Sequence, residues 1–181
     1  LLGVIKGMRW PDIYAGILAV GRTAAPLLIL LIAAQLYSRT LTMTGVVSAI
    51  QTFFADAGLD PWQVVTIMVL VWFVLGMIVD SVSIMLLTVP IFAPIATAIG
   101  LDPLAYALIG ILAIEAGILT PPFGLLVYTV KASIPAGHEG DITLMDIFKG
   151  STPYWILLLA LIILLYIFPG IVTILPELVF G

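Results

Sequence analysis

The chain has 181 residues, of which 63% are hydrophobic and 9% charged, with a mean hydropathy of +1.31. Soluble domains carry roughly 25% charged residues, so this composition excludes an ordinary globular protein and reads as an all-α, polytopic membrane protein. Six basic and ten acidic residues give a net charge of −4 without any basic run of the kind that binds nucleic acid; cysteine is absent and His138 is the single histidine, which argues against thiolate and histidine metal centres.

The chain opens on Leu1-Leu2-Gly3, with neither an initiator Met nor the order of a signal peptide, and reads as part of a longer polypeptide. Residues 1–19 mix Lys6, Arg9 and Asp12 with apolar residues and carry a boundary signal at Trp10-Pro11, which fits an interfacial helix or the end of an earlier span. A first full span is predicted from Val20 to Tyr37, with Arg22 snorkelling at its start and Ser38-Arg39-Thr40 closing it. Residues 41–57 are weakly apolar, with Thr42, Thr44, Ser48, Gln51 and Thr52, and read as interfacial or packed in protein. A turn follows at Asp56-Ala57-Gly58-Leu59-Asp60-Pro61.

From Trp62 to Gly100 two readings are open. The preferred one is a pair of helical arms that enter and leave the bilayer on one side, with a tip around Gly76, Asp80, Ser81 and Ser83; Asp102-Pro103 mirrors Asp60-Pro61 at the other end. The alternative is one long span followed by a short one. Leu104 to Lys131 is a crossing helix interrupted near its middle by Gly117 and Pro121-Pro122, because proline removes a donor and clashes with the preceding turn. A polar loop then holds Pro135, His138, Glu139, Asp141, Asp146 and Lys149, and a last span runs from Thr152 to Ile174, with a late break at Pro169-Gly170 and an end at Leu175-Pro176-Glu177. The predicted organisation is therefore 1–61 scaffold-like helices and an interfacial segment, 62–100 a re-entrant hairpin, 103–133 a broken helix, 134–150 a cytoplasmic loop and 151–181 a C-terminal transmembrane helix. Lys6, Arg9, Lys131 and Lys149 fall on one side of that arrangement and Arg39 alone on the other, so the first side is expected to be cytoplasmic, with the hairpin entering from outside and the C-terminus outside.

Two broken segments in succession point to a site at membrane depth, since exposed carbonyls and amides survive in hydrocarbon only where protein or a water-filled cavity covers them. Asp80 lies in an uncharged run; it is either an ion or substrate ligand or a cap for the second arm, and the two roles are compatible. Glu115 reads first as a hydrogen-bonding partner for the unwound backbone and second as a titrating group near a cation. Thr120 and Gly124 flank the prolines, whose freed carbonyls suit a hard cation such as sodium; the plain alternative is a proline kink. Met43, Met68, Met77 and Met85 read as packing, and Pro90 and Pro94 as bends in the second arm.

Leu75-Gly76-Met77-Ile78-Val79-Asp80, Pro90-Ile91-Phe92-Ala93-Pro94, Gly100-Leu101-Asp102-Pro103 and above all Glu115-Ala116-Gly117-Ile118-Leu119-Thr120-Pro121-Pro122-Phe123-Gly124 carry a family resemblance. From about Gly21 to Pro176 the chain resembles the large membrane subunit of TRAP transporters, the tripartite ATP-independent periplasmic uptake systems. The resemblance implies an elevator-type secondary transporter of the inner membrane, built from two inverted repeats. In it sodium binds between hairpin tip and helix break, and a periplasmic binding protein delivers an organic acid, a dicarboxylate or a sialic-acid-like carboxylate. A small membrane subunit braces the large one, and lipid surrounds both. On this basis Gly76, Asp80 and Ser83 match the tip, and Gly117, Thr120, Pro121, Pro122 and Gly124 the break, as sodium and adjoining substrate site. The family's first repeat has no counterpart here, so the chain reads as the C-terminal half, needing its N-terminal half to transport. No Gly-rich phosphate loop with Lys is present, in keeping with coupling to an ion gradient. Two alternatives stand beside this reading: another sodium–anion symporter of the same hairpin type, and an intramembrane aspartyl protease using Asp80, whose setting after Gly-Met-Ile-Val is the wrong one. A transporter without enzymatic activity and without an organic cofactor is the expectation.

Overall fold

In a computed structural model of the chain, residues 9–135 and 142–180 are described, side chains 175–177 and 180 excepted, and the regular structure among them is entirely helical. Three of the helices are long and apolar enough to cross a bilayer, as the all-α, polytopic reading requires. The chain divides into two compact units, residues 1–44 and 45–181.

Among the described residues the first unit is one helix, α1 (Trp10–Met43), 34 residues long with no buried side chain. The predicted boundary at Trp10-Pro11 is its start: Pro11 occupies the first turn, where its missing donor costs nothing, and Asp12 Oδ2 accepts from the Arg9 amide at 3.0 Å. The separate interfacial piece expected over residues 1–19 is thus corrected from Trp10 onward; Lys6 lies outside the described residues. The stop expected at Ser38-Arg39-Thr40 is also absent. Thr40, Thr42 and Thr44 donate their hydroxyls to Leu36 O, Ser38 O and Thr40 O at 2.9, 2.9 and 2.8 Å, which folds a polar run back onto the helix and carries it to Met43.

The second unit begins at Gly45, whose φ of +74° turns the chain into α2 (Val46–Asp56). At 11 residues, about 16 Å, α2 is too short to cross a bilayer. It buries Val47 and packs Ile50 and Phe54 against the main core, so one face of the helix is packed in protein while most of its other residues are exposed. The turn at Gly58 leads to α3 (Pro61–Gly76), and α4 (Ser81–Ala98) follows after four residues, Met77 to Asp80. These are the two predicted arms, about 24 and 27 Å long against a hydrocarbon core of roughly 30 Å. They fold back on each other. Trp72 Nε1 donates to Thr88 Oγ1 at 2.8 Å, the Trp72 ring meets Phe92 edge-on at 5.3 Å, and a cleft of about 250 Å³ joins Pro61 to Ile99, Gly100 and Asp102. Both ends of the helix pair therefore sit at one end of the unit, and α4 is itself among the three helices long and apolar enough to cross a bilayer.

The core is organised around α5 (Pro103–Ile118), which buries nine of its sixteen residues and packs against α3, α4 and α7 (Leu144–Ile167). Its small residues allow that close approach: an added Cβ at Gly110 would lie 3.1 Å from the Trp72 ring. Val64, Met68 and Trp72 of α3, Ile84 and Ile95 of α4, Ile109 and Ile114 of α5, and Ile162 of α7 form one buried cluster.

After the break at Leu119–Gly124 the chain continues as α6 (Leu125–Ala132). The interruption comes about 24 Å along from Pro103 and about 12 Å before Ala132, nearer one end than the expected middle. The polar loop is shorter than 134–150. Helix α7 already begins at Leu144, inside the predicted loop, because Thr143 and Asp146 cap each other: Asp146 Oδ2 accepts from the Thr143 amide at 3.0 Å and Thr143 Oγ1 from the Asp146 amide at 3.2 Å. Lys131 Nζ reaches Ile142 O, which ties the end of α6 to the start of α7. His138, Glu139 and Asp141 lie outside the described residues. The expected break at Pro169-Gly170 separates α7 from α8 (Gly170–Phe180), which runs on past Leu175-Pro176-Glu177 instead of stopping there.

Candidate functional site

The hairpin tip is built by local chemistry. The last amides after α3 turn inward, with Ile78 N and Val79 N both donating to Leu75 O at 2.9 Å. Asp80 has extended backbone angles and its Oδ1 accepts from the Ser83 amide at 3.1 Å, a standard N-cap for α4. Asp80 itself is exposed, and Ser83 is half-buried. The capping half of the Asp80 reading is therefore realised in the structure; its exposure leaves the carboxylate able to face a further partner.

The break is built differently. Helix α5 ends at Ile118, Thr120 N donates to Gly117 O at 2.9 Å, and Thr120 Oγ1 donates to Ala116 O at 2.7 Å. Pro121 and Pro122 bring no donors, and the peptide between them is cis. Gly124, at φ +45°, starts α6. Its missing Cβ leaves room for Phe148, whose Cε1 would lie 2.7 Å from one, so only glycine fits both the angle and the space. Thr120 and Gly124 are buried, while Pro121, Pro122 and Phe123 are exposed on the surface of this chain.

Tip and break meet backbone to backbone. A Cβ added to Gly76 would lie 2.6 Å from Ile114 O and 3.1 Å from Gly117 Cα; one added to Gly117 would lie 2.9 Å from Gly76 Cα and strike the Phe73 carbonyl. The carbonyl ends of α3 and α5 are thus pressed together, with the amide end of α4 alongside, where Ser81 Oγ donates to Glu115 Oε1 at 3.3 Å. Glu115 holds the first residue of α4, not the unwound backbone after Gly117, a pairing thirty-four residues apart that spacing alone does not reveal. Gly76 and Gly117 are brought together as expected. Asp80 shares no hydrogen bond with the proline pair among the described residues.

Sequence reasoning missed the contribution of α7. Ser151 Oγ lies 3.2 Å from Leu119 O, inside the break, and 2.9 Å from Phe148 O of its own helix. A serine in an apolar helix gives no signal of this until the fold sets it beside the break.

The arrangement suits a small hard cation better than a transition metal. No group of three or more His, Cys, Asp or Glu occurs among the described residues, whereas the converging helix ends supply carbonyl and hydroxyl oxygens, the ligands a hard cation prefers. The neighbouring amide ends of α4 and α6 favour an anionic group beside it.

Several relatives of this chain are large permease proteins of TRAP transporters. The chain is 27% identical over 178 residues to the C4-dicarboxylate TRAP transporter large permease protein DctM of Pseudomonas aeruginosa, a match covering 97% of this chain and 40% of that protein. It is 32% identical over 129 residues to the sialic acid TRAP transporter large permease protein SiaM of Vibrio cholerae, covering 71% of this chain and 29% of the relative. It is 28% identical over 178 residues to the ectoine/5-hydroxyectoine TRAP transporter large permease protein UehC of Ruegeria pomeroyi, covering 98% and 40% respectively. The chain therefore spans well under half the length of these relatives. Residues 1–171 match the family described as tripartite ATP-independent periplasmic transporter, DctM component, and with its spanning helices, its hairpin and its broken helix the chain is a multi-pass membrane protein that belongs to this family of transporter permeases.

Proposed function

We propose that this chain is the C-terminal half of a sodium-coupled, elevator-type importer of a small organic acid in the inner membrane. Its tip and break form one half-site in which sodium organises the backbone that receives the substrate carboxylate. The observation that carries the reading is the backbone contact of Gly76 with Gly117, which places two helix carbonyl ends and the proline-freed backbone beside one another. Unmatched carbonyls at membrane depth cost several kcal/mol each, and a bound cation offsets that cost. Thr120 adds a hydroxyl oxygen whose proton is given to Ala116 O, so its lone pairs remain available to a cation. Asp80 supplies negative charge at the rim, with Ser83 next to it. Two of the relatives are named for acids, C4-dicarboxylate and sialic acid, which supports the substrate class and leaves the particular acid open.

The hairpin is re-entrant from the outer face, its two ends joined at Pro61 and Asp102, and the C-terminus is outside. Single cysteines at Gly58 and Gly100 should then label from the same, external side of intact membranes. The exposed Pro121-Pro122-Phe123 edge faces the N-terminal half of the same subunit, and a small membrane subunit and a periplasmic binding protein complete the system.

The test is uptake by the full reconstituted complex at rising sodium with Pro121 and Pro122 both replaced by Ala. The helix should re-form across the break, satisfy its own carbonyls and lose its sodium response. A well-folded double variant with the parent's sodium dependence and rate would make the prolines a kink without a ligand.

A further inference from the structure

Ser151 is one of few buried polar side chains among the described residues, and it lies on α7, a helix otherwise read as a plain span. Its hydroxyl has one proton and two carbonyls in reach, Leu119 O at 3.2 Å and Phe148 O at 2.9 Å. Phe148 O does not need that proton, because Thr152 Oγ1 donates to it at 2.9 Å. Leu119 O lies in the break, where the Phe123 amide that would serve it in a continuous helix does not donate to it, and no other backbone amide among the described residues does. The register between α7 and the break is fixed one turn away, where the Phe148 ring fills the space that Gly124 leaves.

We propose that Ser151 is a positioning residue of the sodium site, a stand-in donor that satisfies the Leu119 carbonyl when no cation does. The inference rests on the reading of the break as a sodium site. With the cation bound, the Ser151 proton turns to Phe148 O; with the cation released, it returns to Leu119 O, and the break keeps its shape for the return of the empty carrier. No bond is made or broken beyond a rotation of the hydroxyl. Ser151 therefore competes with sodium, so it weakens sodium binding and eases release. A residue that only shaped the site would act in the opposite direction.

The test uses the full transporter complex. Ser151→Ala should lower the half-saturating sodium concentration for uptake about threefold to tenfold, the range of one net hydrogen bond. In detergent, without substrate, its thermal midpoint in sodium-free buffer should fall below the parent's, and the rise on adding sodium should be larger. Ser151→Thr, which keeps the hydroxyl, should match the parent in both measurements. Should Ser151→Ala fail to fold, Ser151→Cys keeps the volume with a weaker donor and should shift both readouts in the same direction. A half-saturating sodium concentration that is unchanged or raised overturns the proposal. If the Pro121 and Pro122 double variant has lost its sodium response in that preparation, the break remains the sodium site and only the role of Ser151 falls. A parent complex indifferent to sodium overturns both.

Discussion

Two interruptions lie side by side in this molecule, and they are made by opposite means. The hairpin tip closes on itself: four linking residues, Met77 to Asp80, amides returned to Leu75 O, and an Asp80 side chain capping α4. The break after α5 cannot do so, because Pro121 and Pro122 bring no amides; Thr120 closes part of it, and Ser151 of α7 reaches one further carbonyl, Leu119 O. A self-satisfied turn is rigid and indifferent to its surroundings. A turn that depends on neighbours is where another oxygen-seeking partner can enter, and this is why the break, more than the tip, is the half of the site that a cation should control.

The largest expected effect comes from the junction that both interruptions share. Gly117→Ala places a methyl against the Phe73 carbonyl and 2.9 Å from Gly76 Cα, all backbone atoms that cannot rotate away. The cost should reach at least about 3 kcal/mol, the upper end for overpacking, with loss of monodisperse protein in detergent. Gly76→Ala should behave alike, since its added methyl meets Ile114 O at 2.6 Å. A stable, fully active Gly117→Ala protein would show that tip and break are not in contact in the working transporter and would undo the comparison at its root.

How much of this was legible beforehand follows from the same contrast. The cap at the tip could be read from its residues, since Asp80 and Ser83 act three positions apart, whereas the approach of Gly76 to Gly117 could not. The break was legible as a break, because two adjacent prolines allow no helix. What satisfied it was not: Ser151 is thirty-two residues from Leu119, and Ser81 is thirty-four from Glu115. The start of α7 was available in Thr143-Leu144-Met145-Asp146, a capping pattern hidden among loop-like charges. The length of α1 was not, because Ser38-Arg39-Thr40 reads as a polar stop, whereas Thr40, Thr42 and Thr44 fold their hydroxyls back onto the helix.

A middling effect separates the hairpin's inner brace from its tip. Thr88 Oγ1 accepts from Trp72 Nε1 at 2.8 Å and passes its own proton to Ile84 O at 2.7 Å, deep between the arms. Thr88→Val keeps the shape and strands the indole N–H in an apolar core, which should cost about 1–3 kcal/mol of stability. Thr88→Ser keeps the bond and should recover most of that loss. Both proteins should keep the parent's sodium response once folded, because the brace touches neither Thr120 nor the prolines. A sodium response altered by Thr88→Val but not by Thr88→Ser would join the hairpin interior to the site and blur the division between a rigid tip and a responsive break.

The smallest change in stability, and the sharpest question about charge, comes from Asp80. Its Oδ1 caps α4 through the Ser83 amide, and asparagine caps as well as aspartate does. Asp80→Asn should therefore leave stability within a few tenths of a kcal/mol of the parent, whereas Asp80→Ala should lose about 1 kcal/mol with the cap. The two variants divide structure from electrostatics. If the carboxylate contributes negative charge to the sodium site, both should raise the half-saturating sodium concentration by a similar factor despite their different stabilities. If Asp80 is a cap and nothing more, Asp80→Asn should have the parent's sodium curve in the reconstituted complex, and any defect of Asp80→Ala should follow its stability. That outcome would remove Asp80 from the site, leave sodium to the carbonyls and Thr120 of the break, and leave the tip as a turn held by its own cap and by Ser81 on Glu115.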